Sequence, residues 1–293
     1  MVSMNRLTTE RRCSVIRALV EGNSIRSTVR MTGVSKNTVS KLLVDIGKAC
    51  SAYQDETLCN LPCKRLQCDE IWSFCYAKAK NVPAERKGEP GVGDVWTWTA
   101  ICADTKLIPS WQVGARDAAT AHRFMADLSG RLANRVQLST DGNRVYLDAV
   151  ENYFGCNIDF AMLVKHYGGA GDRSKPETRY SPGSIVRTSK SRVMGDPDPK
   201  HVSTSYVERA NLTMRMNMRR FTRLTNAFSK KIENHCAAIS LHFMYYNFVR
   251  RHQTLRVTPS MAAGVTKRLW SIEDVVDLLP ELKYNTRPKK TAN

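Results

Sequence analysis

Three stretches of the chain set carboxylates where packing alone has little use for them. Asp69 and Glu70 lie inside LQCDEIWSF, residues 66–74, a run otherwise suited to a buried strand. Asp141 directly follows the strand-like RVQLST (135–140) and precedes Gly142. Glu208 belongs to TSYVERANLTMRMNMRRFTRL, whose helical period sets Glu208, Asn211, Arg215 and Arg219 on one face and Val207, Ala210, Met214, Met218 and Phe221 on another. The apolar face is core. On the polar face, a carboxylate with an amide and two guanidiniums aligned behind it can share a site with a phosphate, although a solvated face laced with helical ion pairs has the same pattern. Neighbouring side chains on a strand point to opposite faces, so Asp69 goes with Ile71 and Ser73 while Glu70 goes with Trp72 and Phe74. The two acids are therefore expected to serve separate purposes, with Glu70 semi-buried and paired to an Arg or Lys from the covering layer.

These acids are exceptions in a basic chain. Its 293 residues carry 45 Lys and Arg against 27 Asp and Glu, a net charge of +18, which points to a polyanionic partner. Residues 1–50 hold nine basic and three acidic side chains, and residues 204–256 hold ten against two. Two basic surfaces imply two contacts with nucleic acid, while solvated charge would explain either alone. The length fits about two domains. No apolar run reaches the roughly 18 to 20 residues of a spanning helix, and MVSMNRLTTERR has no secretion-signal pattern, so a cytoplasmic protein away from membranes is expected. The nine cysteines have no regular framework and read as free thiols; Cys50, Cys59, Cys63 and Cys68 lack the paired spacing of a zinc site.

The elements that must position the acids follow from periodicity. Over residues 1–50, Thr8 caps a helix with Cys13, Ile16, Leu19 and Val20 inward, Ser24 starts a short one, and Gly33 turns the chain. Ser35 then caps a third helix with Val39, Leu42, Leu43 and Ile46 inward. This is a helix-turn-helix pattern whose third helix presents Lys36, Asn37, Ser40 and Lys41 for DNA contact; a small bundle that merely packs is the alternative. Residues 51–65 form a linker. Strands are expected at 66–77, 94–104 and 106–115, with a tight hairpin at Asp104 and Thr105, then a helix (118–132), a strand (135–140), a helix (143–153) and a strand (157–164). That order gives an α/β domain over 66–250 with a mixed sheet covered on both faces. Residues 165–203 break the periodicity as a basic insertion, equally able to close over DNA or to be a surface insertion. A later core helix carries Ile232, Cys236, Ile239, Phe243 and Tyr246, with His235 and His242 as packing or surface residues. A helical extension with a basic tail, RPKKTAN, occupies 251–293.

CDEIWSF, LSTDGNRVYLDAV and TSYVERANLTMRMNMRRFTRLTNAFSKK resemble, in order, the three acidic blocks of bacterial insertion-sequence transposases of the DDE type, in particular the group related to insertion sequence one. YNFVRRHQTLRVTPSMAAG is similar to the run after their last acid, and the resemblance spans residues 62 to 262 approximately. It implies an RNase H-like mixed sheet flanked by helices, here preceded by an all-α helix-turn-helix domain. It also implies Asp69, Asp141 and Glu208 as catalytic residues and metal ligands, with Asn211, Arg215 and Arg219 as DNA-binding auxiliaries. Two Mg2+ ions, replaceable by Mn2+, suit an all-carboxylate set and stabilise the charge that in-line displacement places on the attacking and leaving oxygens. The implied activity is hydrolysis at transposon ends followed by strand transfer. Implied partners are double-stranded DNA, as transposon ends and target, and further copies in a homodimer or larger assembly associated with the bacterial nucleoid. Some relatives carry an N-terminal zinc module where this chain has the helix pattern. An endonuclease of the same fold without strand transfer, and a non-catalytic DNA-binding regulator, are the alternatives.

Overall fold

A computed structural model describes residues 7–168, 185–222 and 226–280. It opens with three helices, α1 (Thr9–Val20), α2 (Ile25–Thr32) and α3 (Lys36–Thr57). The side chains of Thr8, Ser24 and Ser35 each accept a backbone N–H of the helix they precede, as the cap residues predicted. Gly33 ends α2 in the left-handed region, at φ 66°. α3 is longer than expected. It runs to Thr57, through half of the segment read as a linker, because Cys50 and Gln54 continue its buried face and the Gln54 amide donates to Ser240 O at 3.3 Å.

A six-stranded mixed sheet follows, in the order β3-β2-β1-β4-β5-β6. β1 (Arg65–Cys75), β2 (Gly93–Cys102) and β3 (Trp111–Gly114) are antiparallel neighbours. β4 (Val136–Thr140) and β5 (Ile158–Tyr167) run parallel to β1. This arrangement is consistent with the RNase H-like sheet expected. β6 (Ile185–Met194) adds an antiparallel edge strand to β5. The expectation that 165–203 lacks regular structure is thus corrected at both ends, since β5 continues to Tyr167 and β6 begins at Ile185; residues 169–184 lie outside the described residues. The edge position explains the missing signal: β6 has no buried residue and so needs no hydrophobic alternation. The third strand is shorter than predicted, because residues 106–110 form a loop that includes Pro109, which has no N–H for a ladder.

α4 (Ala118–Gly130) and α5 (Val145–Phe154) cover one face, where Trp98 of β2 packs against Phe124 and Tyr146. α6 (Ser205–Asn217) and α7 (Ile232–Met244) cover the other, reaching β1 through Asn211–Asp69 and His235–Ser73 hydrogen bonds. α6 stops short of its predicted length. Met218 is extended (φ −130°, ψ 106°) and Arg219–Phe221 form a 3-10 turn, a break that lets Met218 and Phe221 both bury. His235 and His242 are buried, and burial holds His235 at about 3, a packing role as expected. α7 closes in a π-helical turn (Tyr245–Val249), and α8 (Pro259–Ala262) and α9 (Ile272–Val276) follow, the latter begun by a Ser271–Asp274 capping box. RPKKTAN lies outside the described residues. One contiguous core runs from Cys13 on α1 through the sheet to Val276 on α9. All nine cysteines are free thiols, and no helix among the described residues is long and apolar enough to cross a membrane.

Candidate active site

The ladder between β1 and β4 covers only Arg65–Gln67 against Gln137–Ser139. Past Gln67, β1 continues along β2, while β4 ends at Thr140 and the chain turns at Asp141. The edge of β1 beside Asp69 and Glu70 is therefore open on the side of Asp141. Asn143 N–H donates to Asp141 Oδ1 at 3.0 Å, an Asx turn that holds this carboxylate at the strand end. A Cβ on Gly142 would sit 2.9 Å from Val164 Cγ2, so a larger residue there would press on that side chain.

At this opening, one oxygen from each of Asp69, Glu70 and Asp141 lies within 4.8 Å of the others. Asp69 and Glu70 thus come closer together at their tips than strand alternation implies. The backbone does send them to opposite faces: Asp69 Oδ2 accepts from Asn211 Nδ2 of α6 at 2.8 Å, whereas Glu70 stands opposite Trp98 on the α4–α5 side. Their tips converge because no neighbouring strand separates them there. Glu70 also has the basic partner that its burial demanded. Arg116, between β3 and α4, donates from Nε to Glu70 Oε2 at 3.1 Å and places Nη2 3.6 Å from Asp141 Oδ2. Its guanidinium lies 5.0 Å from the Trp96 ring centroid, and Asn143 Nδ2 reaches Glu70 Oε2 at 3.4 Å.

α6 is registered on β1 by Gln67, whose buried Oε1 accepts the backbone N–H groups of Tyr206 (2.8 Å) and Val207 (3.2 Å). A side chain from the sheet thereby satisfies the first turn of the helix. Glu208, in that turn, accepts from Thr204 Oγ1 at 2.6 Å and pairs with Lys165 of β5. It stays outside the three-carboxylate cluster, engaged by a cation.

Burial, then the charge of Glu70, with further contributions from Asp141 and Glu208, pushes Asp69 up to about 7, against the pull of the Glu70 N–H. Burial raises Glu70 too and Asp141 adds to it, opposed by the Tyr146 hydroxyl and Arg116. Tyr146 Oη nonetheless makes no hydrogen bond of ordinary geometry among the described residues. Glu70 Oε1 and Asn211 Oδ1, both buried, also lack donors. Clustered carboxylates beside buried acceptor oxygens without donors offer the all-oxygen donor set that a hard divalent cation takes.

The remaining predicted residues lie elsewhere. Lys36, Asn37 and Lys41 are exposed on the first turns of α3, with Ser40 half-buried beside them. Arg215 is half-buried on α6. Arg219 does not share the face of Glu208 and Asn211 as expected, because the helix ends before it. Sequence reasoning missed Gln67, Arg116, Asn143, Tyr146 and Lys165. A polar residue inside an apolar strand marks Gln67, and the Asp-Gly-Asn turn marks Asn143, whereas Arg116 lies in a connection whose pattern carries no signal.

No protein-family model matches the chain, and no curated protein matches it. Among solved structures it is similar to transposase complexes. One is a piggyBac transposase synaptic complex with hairpin DNA, 11% identical, covering 95% of this chain and 72% of that one at a TM-score of 0.41. Another is the Mos1 mariner paired end complex with Mn, 10% identical over 83% of this chain and 77% of that one, at 0.27. A pre-cleavage Mos1 transpososome is 10% identical over 83% and 79%, at 0.28. Likeness at this level assigns no function.

Proposed function

We propose that the chain is a DDE-type transposase resembling the insertion sequence one-like group, which binds transposon-end DNA and catalyses phosphodiester hydrolysis and strand transfer. The observation that carries this reading is the convergence of Asp69, Glu70 and Asp141 oxygens within 4.8 Å in a chain of net charge +18. Asp69 and Asp141 would hold Mg2+, or Mn2+ in its place, with Glu208 as the third ligand once Lys165 is displaced; Glu70 is the competing third ligand. The bound cation supplies charge stabilisation for the attacking and leaving oxygens of an in-line displacement. Asn211 orients Asp69, Asn143 orients Asp141, and Arg116 balances the negative charge of Glu70 and Asp141. α2 and α3 act as the helix-turn-helix, with Lys36, Asn37, Ser40 and Lys41 meeting base edges and phosphates and Arg215 and Arg219 giving further phosphate contacts. Two transposon ends require a dimer or larger assembly on DNA.

Asp141→Asn should abolish metal-dependent cleavage of an inverted-repeat duplex while leaving DNA binding intact; surviving cleavage places the site elsewhere. Comparing Glu70→Gln with Glu208→Gln in the same assay identifies the third ligand. Cleavage without joined product would make the protein an endonuclease of this fold. Binding without cleavage by the wild type would make it a regulator.

A further inference from the structure

A cleft of about 690 Å³ separates the first three helices from the bend between α6 and α7. One wall is the α1–α2 corner with the start of α3, contributing Arg26, Lys36 and Ser40; the other is the bend, contributing Arg219, Arg220 and Lys230. No Asp or Glu is among the described residues that line it. Elsewhere arginines stand against carboxylates, as in Arg17–Glu273, Arg135–Asp159 and Arg268–Asp274. None of the five cleft cations has an ion pair among the described residues.

Arg220 makes the imbalance sharpest. Its side chain is half-buried and donates from Nε to Ser229 Oγ at 2.7 Å, and desolvation pulls its pKa down to about 10. A cation withdrawn from water with no carboxylate partner is unfavourable until an anion arrives. The walls meet at backbone: Gly22, at φ 79°, abuts Asn217, where a Cβ would sit 3.1 Å from the carbonyl oxygen. Wall spacing is thus set by main chain rather than by mobile side chains. The volume suits a ligand of several groups rather than one inorganic ion. Asn217 ends α6, the helix that binds Asp69 through Asn211, and six residues of helix span roughly 9 Å along the axis.

We propose that this cleft grips consecutive phosphates of a duplex DNA strand between Arg26 and Lys36 on one wall and Arg219, Arg220 and Lys230 on the other. DNA seated on the first turn of α3 is thereby tied to the helix that carries Asn211 and Glu208. The proposal rests on the DNA-binding half of the function proposed above and extends it to Arg26, Arg220 and Lys230.

The test measures binding of the full chain to a short random-sequence duplex, without divalent metal, across a salt series. Arg26 and Lys230 are exposed, one on each wall, so Arg26→Gln/Lys230→Gln should melt with the wild type. Each phosphate contact contributes about 0.9 to the slope of log K against log salt, so this variant should lose about 1.8 from the slope. Lys80→Gln/Lys87→Gln, exposed on the β1–β2 connection, should leave the slope unchanged. An unchanged slope for the cleft variant, or an equal loss in the control, overturns the proposal. So does tight, saturable binding of inorganic pyrophosphate that the cleft variant abolishes while duplex binding persists, which would make this a small-anion site. Failure of the wild type to bind duplex would sink the DNA-binding reading as well, whereas wild-type binding with an unaffected variant removes the cleft alone. The assay needs no cleavage, so its outcome is independent of the acidic cluster.

Discussion

Asp69 holds its proton to about pH 7 in the folded chain, because it is buried beside Glu70 with Asp141 and Glu208 nearby. An aspartate in the unfolded chain loses its proton near pH 4, so across roughly pH 4 to 7 the unfolded state binds fewer protons and the stability of the metal-free protein falls as pH rises. Above about pH 7 both states have lost the proton and this contribution is constant. A divalent cation favours the charged carboxylates, so Mg2+ should raise the melting temperature more at about pH 8 than at about pH 5. Equal Mg2+ effects at the two pH values in thermal melts, with a chelator as blank, would show that these carboxylates do not bind the ion. At this scale Asp69 and Asp141 were legible, as acids inside and just after strand-like runs. The placement of Glu70 was not. Strand alternation describes where Cβ atoms point, and it fails to predict where carboxylate tips meet once the neighbouring strand has ended.

At the scale of elements, α3 and α7 approach closely at Gly47. A Cβ on Gly47 would lie 2.5 Å from Ala237 Cα and 2.6 Å from Ala237 O, backbone that cannot rotate away. Gly47→Ala should therefore push the helices apart and cost about 1 to 3 kcal/mol, more than the gain in helix propensity returns, read as a lower midpoint in urea. A midpoint equal to or above the wild type's would mean the helices are not in that contact. The helix and strand types of the chain were largely readable because buried elements keep a period. Their ends were less so. α6 ends at Asn217 although its apolar period continues to Phe221, and the burial of Met218 and Phe221 on a redirected chain outweighs continuing the helix. β6 escaped notice for the opposite reason, since an exposed edge strand has no buried face to impose a pattern.

For the whole molecule, the helices read as a separate N-terminal unit share one core with the sheet, and Cys13, Ile46, Trp98 and Val276 belong to the same buried cluster. Arg17 on α1 pairs with Glu273 on α9, joining the two ends of the described chain. Urea unfolding followed by helix signal and by Trp fluorescence should then give coincident transitions. An early loss of helix signal with the fluorescence unchanged would restore an independently melting N-terminal unit. The charge surplus also belongs to this scale. It was plain in the composition, but the distinction between cations that neutralise neighbouring carboxylates and those that line the cleft without an ion pair among the described residues needed the fold.

By itself the sequence determined the α/β class, the capped helices at the start, the order of most strands and the positions of Asp69, Asp141 and Glu208 on their elements. These are local matters: period, cap chemistry and turn residues act over a few positions. Only the tertiary structure decided which acids meet, that Arg116 stands between Glu70 and Asp141, that Lys165 engages Glu208, and that basic residues far apart in the chain line one cleft. Such juxtapositions depend on where one strand stops beside another and where a helix bends, and those points are set by packing between segments distant in the chain.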